Sequence, residues 1–291
     1  MFTIENSRLR AGFELHGAEL VSLVDKKNNQ ELIWQADPTY WKRHAPVLFP
    51  FVGKVNGGEY RYAGKTYHMG QHGFARDMEF TLVEKDDNSI TFELCSDEET
   101  LQKYPFAFKL TIRYVLEANT LTVIWNVQNP ADEEMYYSIG AHPAFNVAQD
   151  KKQKYKVQLH AGESELEYIL IDPETAGADY EHPYTLKLDA EHAVLATDEL
   201  FANDALIFDH NQIKSASIVD PNGKKMVTVE CPDFPSFGLW SQSAAAPFIC
   251  LEPWIGRVDN NGFTGELPEK YGEQKLEAKQ EKEYNYVIVV E

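Results

Sequence analysis

The stretch that decides the fold is 108–128, FKLTIRYVLEANTLTVIWNVQ. Apolar and polar side chains alternate along 108–116 and again along 120–128, and Val, Ile, Thr and Tyr are frequent in these runs. A period of two places every second side chain on the same face, so each run has the pattern of a strand with one buried face. A short break that contains Asn119 separates them. The two runs therefore predict strands of an antiparallel sheet.

The same alternation recurs along the chain, and the runs that we predict to be strands are 17–25, 79–84, 89–95, 108–116, 120–128, 154–160, 216–220, 225–230 and 283–290. Helical periodicity is weak, and the sequence predicts one brief helix at 96–104, with Ser96 as its N-cap. The charged run 266–283 is expected to cross the surface before a closing strand. The chain is therefore predicted to be all-β, a large antiparallel β-sandwich formed as a single domain by residues 1–291.

The chain carries 27 Lys and Arg against 46 Asp and Glu, a formal net charge of −19. A field of this sign repels polyanions, so nucleic acid and anionic membrane surfaces are not expected as partners, and phosphorylated substrates are mildly disfavoured. The three cysteines, Cys95, Cys231 and Cys250, form no CxxC pattern, which favours a reducing compartment. There is no signal-peptide pattern and no run of about 18 apolar residues, so we expect a cytoplasmic protein.

Three short segments contain ionisable side chains in surroundings that suit proton transfer or ligand binding. The segment SIGAHPAF contains His142, and the segment CLEPWIG contains Glu252, each among apolar strand-forming residues. Burial can tune the pKa of such groups for proton transfer near neutral pH, so the two are candidates for an acid/base couple. The segment GQHGFARD adds His72 and Arg76 beside glycines that let a ligand approach the backbone. Together the segments predict an enzyme that acts on a small polar molecule.

Three motifs in order, HGFAR from His72, GAHPAFN from Gly140 and LEPW from Leu251, resemble those of the aldose 1-epimerase (galactose mutarotase-like) family, most closely its LacX-like branch. The resemblance spans essentially the whole chain. It implies a galactose mutarotase-like supersandwich and an isomerase that interconverts the α and β anomers of a hexose, with no metal or organic cofactor. It also implies Glu252 as the base at the C1 hydroxyl and His142 as the acid at the ring oxygen, with the roles reversed on ring closure.

The resemblance further implies a set of substrate-binding residues: His72 on the ring-oxygen side of the sugar, Arg76 as a donor, Lys54 where relatives often carry Arg, Asp209 at sugar hydroxyls and Trp254 as a stacking platform. Four of these residues have a structural alternative. His72 would be a turn histidine, Arg76 would form a surface ion pair with the adjacent aspartate, and Asp209 would be a turn carboxylate. Trp254 would be a core aromatic, as would Trp240. For His142 the alternative is a hydrogen-bonded core residue. For Glu252 it is half of a buried ion pair.

Other functions stay open at this point. A hexose-6-phosphate mutarotase of the same superfamily would use Lys54 and Arg76 as an anion clamp. A non-catalytic sugar-binding protein would need hydrogen bonds but no acid/base couple. A metal-dependent β-sandwich enzyme would need a ligand set such as His72, His142 and Glu252, yet the chain has no HxH or HExxH pattern. From the net charge we expect a larger kcat/KM for a neutral hexose than for its 6-phosphate.

Overall fold

The computed structural model describes residues 1–243 and 245–291, and its regular structure is mostly β. The strands are β1 (Phe2–Glu5), β2 (Leu9–Phe13), β3 (Leu20–Asp25), β4 (Gln30–Glu31), β5 (Val47–Leu48), β6 (Glu59–Tyr62), β7 (Lys65–His68), β8 (Thr81–Lys85), β9 (Ser89–Cys95), β10 (Lys109–Glu117), β11 (Thr120–Gln128), β12 (Met135–Tyr137), β13 (Ile139–Ala141), β14 (Ala144–Asn146), β15 (Lys156–His160), β16 (Glu165–Tyr168), β17 (Tyr184–Lys187), β18 (Ala193–Leu195), β19 (Leu206–Phe208), β20 (Ser215–Val219), β21 (Lys225–Glu230), β22 (Ser236–Trp240), β23 (Phe248–Ile255), β24 (Gln274–Leu276) and β25 (Glu281–Val290). The helices are α1 (Glu98–Lys103) and short 3-10 segments at Asn56–Gly58, Ala75–Asp77, Gln149–Lys154 and Leu267–Glu269.

The hairpin that the opening stretch predicts is present. Strands β10 and β11 pair antiparallel from Lys109 opposite Gln128 to Glu117 opposite Thr120. The two-residue turn between them places Ala118 at φ 51°, in the left-handed region that matches the twist of the flanking strands. Every second residue of β11 is buried, as its alternation predicts. The bounds of β9, β11 and β21 agree with the predicted runs, and the other runs shift by a few residues at their ends.

Two large antiparallel sheets carry the fold. The larger has the order β18-β15-β20-β21-β25-β11-β10-β9-β8, and the second has the order β19-β22-β23-β13-β5, with β14 also paired to β23. One continuous hydrophobic cluster contains residues of both sheets, such as Trp125 of β11 and Phe237 of β22. Burying a large apolar side chain stabilises the fold by roughly 1.5–3 kcal/mol, so this cluster is the main source of stability. The predicted all-β sandwich is confirmed.

Two sequence expectations need correction. Helix α1 is capped by Asp97 rather than Ser96, because the Asp97 carboxylate accepts the backbone N–H of Thr100 while the Thr100 hydroxyl accepts the N–H of Asp97. Ser96 Oγ instead accepts the backbone N–H of Phe108. The charged run 266–283 is also not simply a surface crossing, since it includes β24, which pairs with β12. In the described residues no helix has both the length and the apolar composition needed to cross a membrane.

The same charged run buries an ionic cluster. The Lys270 ammonium lies 3.8 Å from carboxylate oxygens of both Asp259 and Glu273, and the three side chains are at most 4 % exposed. Burial raises the pKa of Glu273 to about 8, against the opposing effect of Lys270. Glu273 does not line the cavity described below, so we assign it a structural role beside Lys270.

Replacing Glu273 with Gln is expected to raise stability at neutral pH. The folded state keeps a proton on Glu273 that the unfolded chain releases above a pH of about 4.3. The free energy of unfolding of the wild type therefore falls by about 1.4 kcal/mol per pH unit from there toward pH 8. Gln does not titrate. Thermal unfolding from pH 4 to pH 8 should therefore show a Tm difference, Gln variant minus wild type, that grows with pH. A difference that stays constant or shrinks with pH would show that the pKa of Glu273 is not raised.

Candidate functional site

A cavity with a volume of about 440 Å³ is lined in part by side chains of β19, β22 and β23. Six of the seven side chains singled out from the sequence line it, namely His72, His142, Glu252, Arg76, Lys54 and Trp254. A volume of this size is in the usual range for a small-molecule site. The structure therefore brings together residues that lie up to 200 positions apart in the chain.

Strand register explains why His142 meets Glu252. Strand β13 pairs Gly140 with Trp254, and β14 pairs Ala144 with Cys250, so the bend between β13 and β14 lies opposite Glu252. His142 occupies that bend. Side chains alternate along β23, so Glu252 shares one face of the strand with Cys250 and Trp254. The two motifs that stood out in the sequence are thus neighbours across one antiparallel ladder.

His142 and Glu252 are buried, close together and without complete hydrogen bonding. The His142 Nε2 atom lies 3.4 Å from Glu252 Oε2, and the side chains are 9 % and 1 % exposed. Among the described residues, neither Glu252 oxygen nor His142 Nδ1 has a hydrogen-bond partner. Unsatisfied buried polar atoms are costly, and they mark a place where a polar ligand would supply the missing partners.

Burial shifts the pKa values of the two groups in opposite directions. Desolvation, helped by the nearby Arg76 charge, lowers the pKa of His142 to about 3. Desolvation and the Asp204 carboxylate raise the pKa of Glu252 well above its ordinary range. Both shifts favour the uncharged forms, so Glu252 holds a shared proton more strongly than His142 does.

Two tryptophans enclose His142. Trp41 stacks on the imidazole with ring centroids 4.7 Å apart, and Trp240 meets it edge-on at 5.3 Å. The segment that carries Trp41 is held by Glu19, whose Oε1 accepts the backbone N–H groups of His44 and Ala45. The stacking fixes the ring plane of His142. Sequence reasoning missed Trp41, for which the only signal was an aromatic residue directly before two cations.

His72 is held in one tautomer by the backbone. The ring atom Nδ1 accepts the backbone N–H of Gly53 at 3.0 Å, and the backbone N–H of His72 donates to the Gly53 carbonyl at 2.7 Å. A neutral ring whose Nδ1 accepts must carry its proton on Nε2, and burial next to His142 and Arg76 keeps the pKa of His72 well below its ordinary value. His72 is therefore a fixed hydrogen-bond donor beside His142, with ring centroids 5.6 Å apart.

Trp254 lies in a slot made by two glycines. A Cβ atom at Gly140 would lie 2.6 Å from the Trp254 ring, and a Cβ atom at Gly238 would lie 2.5 Å from it. Neither position tolerates a side chain while the indole is in place. The indole N–H donates to the Ala141 carbonyl at 3.2 Å. The ring is thus fixed in the cavity wall, 5 % exposed, where it both packs in the core and contacts the cavity.

Four cationic side chains line the cavity of this acidic protein. The sequence singled out Lys54 and Arg76, and the structure adds Lys42 and Arg43. Arg43 donates to Asp77 at 2.8 Å, and Arg76 donates to the Gln71 carbonyl at 2.6 Å. Burial and the Arg43 charge lower the pKa of Arg76 to about 10, so it stays charged at neutral pH. The alternative of an Arg76–Asp77 ion pair is also present, with Nε 3.7 Å from a carboxylate oxygen.

Asp209, the remaining sequence candidate, lies outside this cavity. Its carboxylate accepts Arg257 Nε at 2.7 Å and Ser236 Oγ at 2.7 Å, so both of its oxygens are used. Within this segment of the chain, the carboxylate in the cavity lining is that of Asp204. The short strand β19 separates the two aspartates, so they lie at its opposite ends. Asp209 therefore does not reach this cavity, and its expected role at sugar hydroxyls stays a prediction, whereas Asp204 lies in the cavity lining.

The described residues contain one group of side chains with the spacing of a metal site. His142, Cys250 and Glu252 each offer a ligand atom, and these atoms lie within 4.8 Å of one another. The set differs from the triad considered from the sequence, because Cys250 takes the place of His72.

Comparison with known proteins identifies the family. The family profile described as aldose 1-epimerase matches residues 1–263. The chromosomal protein LacX of Lactococcus lactis subsp. lactis is 36% identical over 265 residues, which is 87% of this chain and 87% of that protein. A galactose mutarotase related enzyme from Lactobacillus acidophilus has 35% sequence identity and a TM-score of 0.93, covering 100% of this chain and 97% of that one.

A second solved structure, a galactose mutarotase-like protein from Lactobacillus casei ATCC 334, is 33% identical with a TM-score of 0.91 and covers 100% of both chains. These matches confirm the resemblance that the three motifs carried, including its LacX-like branch, and the expected galactose mutarotase-like fold. The chain therefore belongs to the aldose 1-epimerase family and is an isomerase of small sugars.

Proposed function

We propose that this protein interconverts the α and β anomers of a hexose by opening and closing the sugar ring, with Glu252 and His142 as the acid/base couple. The observation that carries the proposal is their geometry: two buried ionisable groups 3.4 Å apart, lining a cavity of sugar size, with polar atoms that lack partners. A hemiacetal presents two oxygens on one carbon. Acid and base must therefore lie close together, as these two side chains do.

Ring opening moves two protons. Glu252 takes the proton of the C1 hydroxyl, the bond between C1 and the ring oxygen breaks, and His142 gives a proton to the ring oxygen. The open aldehyde turns about the C1–C2 bond, and closure on the other face returns both protons. The catalyst ends each cycle in its starting state. Positioned acid/base groups of this kind typically accelerate a reaction by about 10² to 10⁴ each.

Ring opening requires that the proton shared by Glu252 and His142 is on His142 when the cyclic sugar is bound. Before the sugar binds, burial favours the uncharged forms of both groups and so keeps that proton on Glu252. A bound sugar donates hydroxyl hydrogen bonds to the Glu252 carboxylate, which stabilises its charged form and lowers its pKa. Binding thus shifts the proton toward His142 across a short distance, and no exchange with bulk water is required.

The other lining residues bind and orient the sugar. His72, whose ring lies beside that of His142, offers its Nε2–H to the sugar, while Trp254 offers an apolar face for the ring carbons. Arg76 and Lys54 donate to hydroxyl groups at the mouth, and Asp204 accepts from them.

Polarimetry tests this function. Freshly dissolved α-glucose and α-galactose should reach anomeric equilibrium faster with the protein than without it, in the presence of EDTA. A non-catalytic sugar binder would leave the rate unchanged. Complete loss of the acceleration on chelation would contradict the cofactor-free mechanism.

A second candidate, a hexose-6-phosphate mutarotase, is favoured by the four cations at the cavity. Lys42, Arg43, Lys54 and Arg76 face only two lining carboxylates, Asp204 and Glu252. Their local field opposes the repulsion that the net charge of −19 exerts on anions. Lys54 and Lys42 are exposed at the mouth, where a phosphate group would remain partly hydrated.

Salt dependence separates the two candidates. For a neutral-hexose enzyme, we expect kcat/KM for glucose to exceed that for glucose-6-phosphate, with a gap that narrows as salt screens the repulsion over a Debye length of about 8 Å at physiological ionic strength. A hexose-6-phosphate enzyme would show the reverse: a preference for the phosphate that weakens with salt and collapses in Arg76→Ala. Lys103→Ala, which removes an exposed cation of α1 away from the cavity, is the matched control. It should change neither the preference between glucose and glucose-6-phosphate nor the salt dependence of that preference.

A further inference from the structure

The thiol of Cys250 lies beside the proposed acid/base couple, although nothing in the mechanism uses it. Cys250 is fully buried on the same face of β23 as Glu252, two positions away. Its side chain, a ring nitrogen of His142 and a carboxylate oxygen of Glu252 lie within 4.8 Å of one another. Nitrogen, sulfur and oxygen donors therefore lie close together beside the cavity, which His142 and Glu252 line and Cys250 does not.

The spacing is close to that of a tetrahedral zinc site. With zinc–nitrogen and zinc–oxygen bonds of about 2.0–2.1 Å and a zinc–sulfur bond of about 2.3 Å, neighbouring ligands of a tetrahedral ion lie roughly 3.4–3.7 Å apart. The measured separation of His142 Nε2 from Glu252 Oε2 is 3.4 Å. Movement of the Cys250 thiol by about 1 Å would complete the triangle, which a small side-chain rotation provides.

The donors are also free to bind. Both Glu252 oxygens lack a hydrogen-bond partner among the described residues, and the Glu252 side chain is 1 % exposed. His142 and Glu252 line the cavity, so an ion can reach them from the mouth, and the thiol lies behind them. Three protein ligands with the fourth position facing an open cavity are the arrangement of an accessible zinc site.

We propose that His142, Cys250 and Glu252 form an inhibitory binding site for a thiophilic divalent cation, Zn²⁺ in particular. The bound ion occupies the lone pairs of both the acid and the base, so the sugar and the ion exclude one another. Binding releases the protons of the Cys250 thiol and the Glu252 carboxyl group to solvent. The soft thiolate that results selects Zn²⁺ over Mg²⁺ and Ca²⁺, which prefer sites made only of oxygen. The site makes the enzyme sensitive to free zinc without making it a zinc enzyme.

Cobalt titration tests binding without reference to activity. Co²⁺ added to the metal-free wild-type protein should give the visible bands of a tetrahedral ion and a near-ultraviolet thiolate-to-cobalt band, and Zn²⁺ should abolish both. Mg²⁺ should leave them unchanged. A cobalt spectrum without a thiolate band, or no binding at all, would overturn the proposal whatever the protein does to sugars.

Cysteine variants locate the site. Cys250→Ser should lose the thiolate band and weaken Zn²⁺ binding by about tenfold or more, since one of three protein ligands becomes a poor one. Cys231→Ser is the matched control, because Cys231 is also fully buried but is not part of the group formed by His142, Cys250 and Glu252, and it should bind like the wild type. Equal Zn²⁺ affinity in wild type and Cys250→Ser would contradict the proposal. Should the Ser variant fail to fold, Cys250→Ala serves, and the wild-type cobalt spectrum decides independently.

The inhibition itself rests on the proposed function. Micromolar Zn²⁺ should slow anomer exchange by the wild type, EDTA should restore it, and Cys250→Ser should keep its rate in the same zinc concentration. Raising the sugar concentration should relieve the inhibition. If zinc binds through the thiolate but anomer exchange is unaffected, the inhibitory role is refuted. If the protein shows no anomer exchange at all, the proposed function is refuted, and the cobalt titration still tests the metal site by itself.

Discussion

Replacing Glu252 with Gln should lower kcat by about 10² or more while KM for the sugar changes little. Gln keeps the shape and the hydrogen-bonding carbonyl of the side chain but cannot take the proton of the C1 hydroxyl. The side chain is 1 % exposed, so water cannot easily replace the missing base. The initial rate of optical rotation change, measured over a range of sugar concentrations, gives both constants.

Glu273→Gln is the matched control for this substitution. It makes the same chemical change at another buried carboxylate with a raised pKa, one that does not line the cavity. Its kcat should equal that of the wild type. If Glu252→Gln also turned over like the wild type, Glu252 would be a structural residue, and the acid/base assignment would be lost.

Replacing His142 with Asn should also lower kcat by about 10² or more. Asn can hydrogen-bond to the ring oxygen but cannot deliver a proton to it. Trp41 and Trp240 exclude water from two sides of the ring, so no solvent molecule is positioned to replace the acid. The same rotation assay, with anomer exchange by NMR as a second readout, measures the loss.

His44→Asn is the control for the histidine change, since His44 is partly buried, hydrogen-bonds to the Trp34 carbonyl and does not line the cavity. It should retain the wild-type kcat. An effect of His142→Asn confined to KM would redefine His142 as a binding residue.

Much of the fold follows from local pattern. The runs at 89–95, 120–128 and 225–230 match their strands because period-two alternation reports directly on a half-buried sheet. The predicted boundary of an element is wrong where two neighbouring side chains can play the same role, as at the start of α1. Ser96 and Asp97 are both good N-caps, and the choice was made by a contact with Phe108 that sequence spacing cannot show.

Site residues can be predicted where they belong to a sequence motif. They are harder to predict where only the fold brings them to the cavity. His142 and Glu252 were identified as a pair because each lies in an apolar strand segment. Asp204 and Asp209 lie five positions apart on either side of β19, and only the three-dimensional position of that strand decides which of them reaches the cavity. The ion pair of Asp209 with Arg257 is likewise a contact between distant segments.

For the same reason, the sequence could not predict that Lys42, Arg43 and the Cys250 thiol lie at the site. Arg43 comes from a loop that Glu19 fixes from another part of the chain, so its place at the cavity depends on a long-range hydrogen bond. Cys250 was considered only as a cysteine without a CxxC partner. Its relation to His142 depends on the register between β14 and β23, which pairing of Ala144 with Cys250 defines.

A double variant tests most directly whether Glu252 and His142 act as one couple. The kcat of wild type, Glu252→Gln, His142→Asn and the double variant would be measured under the same conditions by the rotation assay. Groups that act as a unit in one transition state are not additive, so we predict that the double variant loses no more than a few times the larger single loss. Fold-losses that multiply, about 10⁴ or more in the double variant, would show two independent contributions and contradict the shared-proton couple.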